Sequence, residues 1–507
     1  MHSVATATTE SDPPQRSIGR TVARNTTFML GGQVVIKILA FAFNIYVVRH
    51  LGDIYYGRYA AALAYVAVFA MFTDLGTSAL SVREMARQPG NIAWMVPDIM
   101  ALRMGLSVIA CAALGLSAWL LGKPPDMVMA ISVASVGLLL YAFQGPLDSV
   151  MISQERLDLS STLGLLNQLG FMLLGTVLLV SGAGYVGLLV ASLGAVLMTG
   201  LASFYVTRRI LGLRLGRPAP SRWWSLLKAS FPFGFAGVVA GFAQRFDTVF
   251  MSFVLTDAAV AWYNVPYNLI VMMLLMAQSL AISIYPSLVK EYDSGRGSIQ
   301  RTVREAIRYL LLLSLPMAVG GMLLADRVIA LLYGQEFAPA TGVMRILVWI
   351  LPPMFLSEML GRTSSTMHLE KKAAGLTVVR ALIGIGVTVA VVPRFGIIGA
   401  AVVAVAIEVV RVILASLLIG PAMLWKGSVG PLMRVAGAAA LMGVVVWRLC
   451  HISFVMAMDS KMALLFLVGA GAAVYGLAAL LLGAIDPGEV RHFCGLVRRR
   501  LYSGGRR

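Results

Sequence analysis

Apolar residues run along this chain in long blocks, separated by short polar breaks. A bilayer core needs roughly 20 apolar residues per helix. Applied along the chain, that length predicts fourteen helices. The first six cover 25–48, 58–80, 98–121, 126–150, 160–181 and 184–207. A polar segment, 208–228, follows. Six more helices cover 229–254, 261–289, 305–325, 343–361, 373–393 and 396–420, and two lie at 431–450 and 462–484. The expected fold class is an all-α integral membrane protein. Two pseudo-symmetric six-helix lobes, 25–207 and 229–420, are joined by the basic linker 208–228, and 421–484 holds two accessory helices. Polar tails, 1–24 and 485–507, flank the helices.

Composition agrees. The 507 residues are 59% hydrophobic and 13% charged, with a mean hydropathy of +0.84. A soluble domain is about 45–50% apolar and about 25% charged. The net charge of +18 raises the question of nucleic acid. Loop position answers it. With the N-terminus in the cytosol, 27 of the 41 lysines and arginines fall in inside segments. Seven fall in the outside loops or at the helix ends beside them, at Arg49, Arg58, Lys123, Arg327, Arg394, Arg448 and Lys461, and seven lie deeper within helices. That asymmetry is the positive-inside pattern, with both termini cytoplasmic. The charge reads as topology and attraction to anionic lipid headgroups, with no nucleic-acid partner. Within the linker, Trp223-Trp224 beside arginines suits a segment lying on the inner leaflet. Cys111, Cys450 and Cys494 are scattered, so neither a disulfide nor a metal site is expected, and no cofactor is implied.

An internal repeat is visible. Leu51-x-Asp53-x3-Gly57-x-Tyr59 recurs as Leu255-x-Asp257-x3-Ala261-x-Tyr263, at an offset of 204. Each copy flanks the turn after the first helix of its half. Both halves start on the same side, so the repeat is parallel, about an axis along the membrane normal.

Charges inside the predicted helices carry the functional signal. Each costs at least about 2.5–3.5 kcal/mol at the bilayer centre and usually faces an interior or a cavity. On the first helix, Thr26, Gln33, Lys37 and Asn44 share one face. On the seventh, Gly234, Gly237, Gly241, Arg245 and Thr248 do the same, so an arginine stands among small residues. The eighth offers Asn264, Asn268 and Gln278 beside Tyr263 and Tyr267. The candidate binding residues are therefore Lys37, Arg245, Gln33, Asn44, Asn264 and Asn268. Asp74 and Asp247 are candidates for ion coupling or charge balance. Arg380 is a further cation, on the eleventh helix. Glu408 with Arg411, and Glu358 with Arg362, are spaced to satisfy one another along their helices. No Walker A sequence, HExxH or nucleophile elbow appears, so a transporter is expected rather than an enzyme.

Several segments carry a family likeness. They are Arg49-His-Leu-Gly-Asp-Ile-Tyr-Tyr-Gly-Arg-Tyr59, Thr73-Asp-Leu-Gly76 and Val82-Arg-Glu-Met-Ala-Arg87 in the first half. In the second half they are Gln244-Arg-Phe-Asp247, Tyr333-Gly-Gln-Glu-Phe-Ala-Pro-Ala340 and Pro393-Arg-Phe-Gly-Ile-Ile-Gly-Ala400. With these, residues 20–420 resemble the Wzx-type oligosaccharide flippases of the multidrug/oligosaccharidyl-lipid/polysaccharide exporter superfamily. Leu51-Gly-Asp53 departs from the family's usual Leu-Gly-Pro. The resemblance implies alternating access through a central cavity in a bacterial inner membrane. It implies a polyprenyl-diphosphate-linked oligosaccharide as substrate, and a polysaccharide polymerase and chain-length machinery as partners. A drug antiporter of the same superfamily, a peptidoglycan-precursor flippase and a membrane polymerase are the alternatives.

Overall fold

Hydrocarbon offers no partner for a bare amide, so a membrane-embedded chain must satisfy its backbone within helices. The computed structural model follows that rule throughout the residues it describes, 16–294, 299–425, 427–453 and 458–485. Both tails lie largely outside that set, and side chains are described from residue 35 onward. The N-terminal half contains α1 (Arg16–Asp74), α2 (Thr77–Arg87), α3 (Ile92–Leu120), α4 (Pro125–Ser153), α5 (Leu157–Val180) and α6 (Gly184–Tyr205). The C-terminal half contains α7 (Trp223–Val254), α8 (Asp257–Asp293), α9 (Ile299–Leu323), α10 (Ala325–Tyr333), α11 (Ala340–Leu347), α12 (Leu351–Thr366) and α13 (Glu370–Ile419). Then come α14 (Pro421–Trp425), α15 (Val429–Cys450) and α16 (Ser460–Leu481).

Two helices double back. Gly52 (φ 71°, ψ 179°) reverses α1, and Gly396 (φ 58°, ψ −145°) reverses α13. Both sit at positive φ, where a Cβ is costly and glycine is not. Asn44 meets Tyr56 across the first turn, and Ile407 lies against Gly384 across the second. Eleven described helices are long and apolar enough to span a bilayer. Counting both arms of α1 and α13, and adding the 32-residue α7 beside them, the described chain makes fourteen passes. That matches the number expected from hydropathy.

In the first lobe α3 packs on α4, α5 on α6 and α4 on α6. In the second, α12 packs on α8, α9 and α13, and α13 on α7. Helices α15 and α16 attach through α9, where the Tyr475 hydroxyl donates to the Leu312 carbonyl at 2.7 Å. Below, the end of the bundle carrying the linker is the linker end. The end carrying the Gly52 and Gly396 turns is the far end.

The linker differs from expectation in two ways. Helix α7 begins at Trp223, so the tryptophan pair and Lys228 belong to the helix. Residues 211–222 are also docked on the first lobe. Leu211, Leu213 and Leu215 pack among Met95, Ile99 and Leu102, while Gly212, Arg214 and Arg217 alternate outward. The fully buried Asp98 accepts from the Ala219 N–H at 2.5 Å and pairs with Arg222 at 2.8 Å. Arg222 also lies over the Trp94 ring. The start of α7 is thereby fixed to the first lobe, where Leu226 joins the same apolar cluster.

Candidate functional site

The lobes meet along two helix pairs. Helix α7 packs along the second arm of α1 from Tyr65 to the turn at Leu75. Phe253 packs edge-on against Tyr65, Gly241 against Met71, and Gly234 against the Leu75 carbonyl. The first arm of α1 meets α8 toward the far end. There a single apolar cluster takes residues from both lobes, including Val47, Leu51, Tyr56, Ala261, Val265 and Leu269.

Polar bonds tie that far end shut. The Tyr56 hydroxyl accepts from Asn44 at 3.3 Å and from Asn268 of the other lobe at 3.2 Å. Arg58 pairs with Asp257 across the seam at 2.9 Å and with Asp126 in its own lobe. Lys123 donates to the Ser252 carbonyl. Arg49 Nε donates to the Leu332 carbonyl at 2.7 Å, and Nη2 to that of Leu331. Gly57 faces the Asp257 backbone so closely that no side chain fits there.

The structure brings some of the expected residues together and separates others. Asn44 and Asn268 share Tyr56. Lys37 lies seven residues before Asn44 on the same helix face, toward the linker end, and is exposed. On α8 the residues Met276, Ser279 and Ser283 are likewise exposed toward that end. Arg245 is exposed and within electrostatic reach of Tyr267. Its helix face continues that of Gly241, which touches α1, and of Thr248, which touches α8. Among the described residues no contact joins Lys37 to Arg245. Asn264 is buried and taken up by bonds within its lobe, accepting from Thr248 at 3.2 Å and donating to the Val260 carbonyl at 2.9 Å. The Gln33 side chain lies outside the described residues.

The two candidate aspartates have different surroundings. Asp74 pairs with Arg103 on α3, and accepts from the Thr77 hydroxyl and the Ser78 N–H. Arg103 also donates to the Thr77 and Ser78 hydroxyls, both at 2.7 Å. Asp247 accepts from Thr388 at 3.2 Å and lines a cavity of about 480 Å³ between α7, α8, α12 and α13. Arg380, Glu408 and Arg411 line it too. Glu408 is held by Arg411 at 3.0 Å, as its spacing predicted, and lies 3.9 Å from Arg380. The expected pair of Glu358 and Arg362 does not form. Arg362 lies over the Tyr285 ring instead, drawn by the π face.

Tyr56, Arg58 and Arg103 were not singled out from sequence. Arg103 carried a readable signal, an arginine within a long apolar helix. Tyr56 and Arg58 lie in the Arg49–Tyr59 segment of the family likeness, at the edge of an expected loop, where nothing local marks a contact with the other lobe.

Two helical lobes, tied at one end of their seam and holding charges within the bundle, make this an all-α multi-pass membrane protein. Residues 22–291, more than half of the chain, match the polysaccharide biosynthesis protein family, and the chain belongs to it. The expected family is thus borne out. The fold is similar to that of the lipid II flippase MurJ in an inward closed conformation. The TM-score is 0.72 and the identity 13%, over 89% of this chain and 98% of that one. It is also similar to an inward-facing multidrug resistance MATE family transporter, with TM-score 0.58 and 16% identity over 79% and 95% of the chains. At these identities the likeness shows the fold alone. The probable low-salt glycan biosynthesis flippase Agl15 of Haloferax volcanii is 25% identical over 163 residues. That match spans 32% of this chain and about a third of the relative's length, 34%.

Proposed function

We propose that this chain is a flippase. It carries polyprenyl-diphosphate-linked oligosaccharide from the cytoplasmic to the periplasmic leaflet of a bacterial inner membrane, by alternating access, for export of a cell-surface or exopolysaccharide. One observation carries the reading. The lobes are tied at the far end, while the cation-bearing faces of α1 and α7 are exposed. The positive-inside count makes the linker end cytoplasmic. The α1–α8 side of the seam is then left untied on the side where such substrates are assembled, while α7 stays against the second arm of α1.

A diphosphate must not meet bare hydrocarbon, and fixed cations in a wet cavity hold it. Arg245 grips phosphate oxygens through parallel hydrogen bonds, and Lys37 adds a mobile point charge. Gln33, Asn44 and Asn268 offer amides to the sugar. Asn264 steadies α7 against α8. The polyprenyl tail stays in lipid between α1 and α8. Asp74, already neutralised by Arg103, serves charge balance, and Asp247 is the carboxylate left for ion coupling. A polymerase and chain-length machinery would take the product. A peptidoglycan precursor carries the same diphosphate, and rescue of a strain depleted of that flippase separates the two cargoes.

The test is complementation of polysaccharide export with membrane abundance followed in parallel. Arg245→Lys is expected to retain part of the export and Arg245→Ala to lose most of it at normal abundance. Full export by Arg245→Ala would remove the binding role. The cavity around Asp247 gives a drug antiporter its one supporting observation. Drug resistance conferred without any rescue of export would favour that reading.

A further inference from the structure

A second polar cavity lies at the far end, away from the seam residues assigned to cargo. Its volume is about 470 Å³, within the roughly 300–1,000 Å³ of small-molecule sites. Arg49 of the first lobe, Arg327, Gln335 and Thr341 of the second, and Ser460 of the accessory helices all line it. Three separately packed parts of the chain therefore converge on one space.

Positive charge predominates among the residues that line this cavity. Asp326 is the acidic lining residue, and Arg345 holds it at 2.5 Å. Arg49 uses Nε and Nη2 on the Leu332 and Leu331 carbonyls, which are neutral. Arg327 Nη1 is buried and has no hydrogen-bond partner among the described residues. A guanidinium nitrogen cut off from water and from a counter-charge is strongly unfavourable. An anion held by the other donors of this guanidinium would supply the counter-charge. Ser460 opens the 22-residue α16 after the N-cap Asp459, so the positive end of that helix dipole lies at the edge of the same space.

The surroundings define the anion. The cavity lies at the bundle end, where α15 closes and α16 opens and where both carry exposed apolar side chains such as Trp447 and Leu465. An amphiphile can place its head in the cavity and its chain against those helices. Arginine forks match phosphate oxygens bidentately.

We propose that this far-end cavity binds the phosphate group of a lipid, with Arg327 and Arg49 as its cationic contacts. The same chemistry is offered by a membrane phospholipid and by the diphosphate of a polyprenyl carrier. The assignment does not depend on the cargo proposed above. Since Arg49 and Arg327 belong to different lobes, a bound phosphate bridges them and favours the state in which the far end is closed.

The test uses the purified full chain and native mass spectrometry, titrated with phosphatidylglycerol, with polyprenyl diphosphate and with uncharged diacylglycerol. Binding of at least one phosphate lipid, with diacylglycerol excluded, is expected. Arg327→Gln should weaken it about tenfold or more, the value of one charged hydrogen bond. Arg327→Lys should weaken it less. Ala338→Glu adds a carboxylate at an exposed lining position and should also abolish binding, so the outcome stands even where Arg327→Gln fails to fold. Preference for phosphatidylglycerol identifies a structural lipid, and preference for polyprenyl diphosphate identifies the carrier. Equal binding by wild type, Arg327→Gln and Ala338→Glu, or equal uptake of diacylglycerol, would overturn the proposal.

Discussion

The two lobes hold their charges in opposite ways. In the first, Arg103 is 6% exposed and locked onto Asp74, Thr77 and Ser78, with its guanidinium filling the space beside Gly145. In the second, Asp247, Arg380, Glu408 and Arg411 surround an open cavity. Glycines make room in both places. Gly145 yields its room to the guanidinium, whereas Gly237 leaves its own open to the cavity. A charge in a membrane needs either packed partners or space for water. The first lobe has the packed solution and reads as scaffold. The second has the spacious one, where charges can exchange partners.

The sharpest break of this contrast is Arg103→Leu. Removing the buried Arg103 leaves a partly exposed Asp74 unpaired, at a cost below the about 3–5 kcal/mol of a fully buried pair. Most of the folded protein should disappear from membranes, and Asp74→Leu added to it should restore a good part. Arg380→Leu should leave abundance near normal while transport falls, because water in the cavity takes over hydration of Glu408. Equal loss of protein from both single variants would erase the distinction between the lobes.

A smaller effect is expected at the far-end tie. Arg58→Ala removes the link between Asp126 and Asp257. A coupling of ~1–3 kcal/mol shifts a two-state balance about 5–150-fold. In a background without the native cysteines, a cysteine at Asn268 should react faster with an impermeant maleimide added outside. Unchanged labelling would mean that Arg58 does not hold the seam. The smallest effect belongs to Asn264→Ala, which should cost about 1–3 kcal/mol by orphaning Thr248. Tm should drop slightly and export continue. Lost export at normal abundance would give Asn264 a direct role.

How far these features were legible in the sequence follows from their physical origin. Helix number depends on local apolar length, and it was readable. Turns were less so. The second pass was expected over 58–80, yet the helix resumes directly after Gly52 and ends at Asp74. One glycine suffices for the reversal, so Tyr56 joins the helix that was expected to begin at Arg58, and both face the other lobe. The tenth pass was expected as one helix. Pro352 and Pro353, which lack amide donors, instead open α12 after a short 3-10 turn at Val348–Ile350. Helix α10 was read as a loop, because nine amphipathic residues give no span signal. Within the site, the charges of α1, α7 and α13 were visible, since charge is conspicuous in an apolar helix. Their partners were not. Thr388 lies 141 residues from Asp247, and Asn268 lies 212 from Tyr56. No local pattern encodes such meetings.

The most direct test of the account follows a fluorescent polyprenyl-diphosphate oligosaccharide in proteoliposomes holding equal amounts of folded protein. Transfer between leaflets is read by accessibility to an added glycosidase. Wild type should flip the lipid fastest, Arg245→Lys more slowly, and Arg245→Ala near the protein-free rate, with binding weakened in the same order. Transfer by Arg245→Ala at the wild-type rate would contradict the claim that the interlobe cation holds the diphosphate.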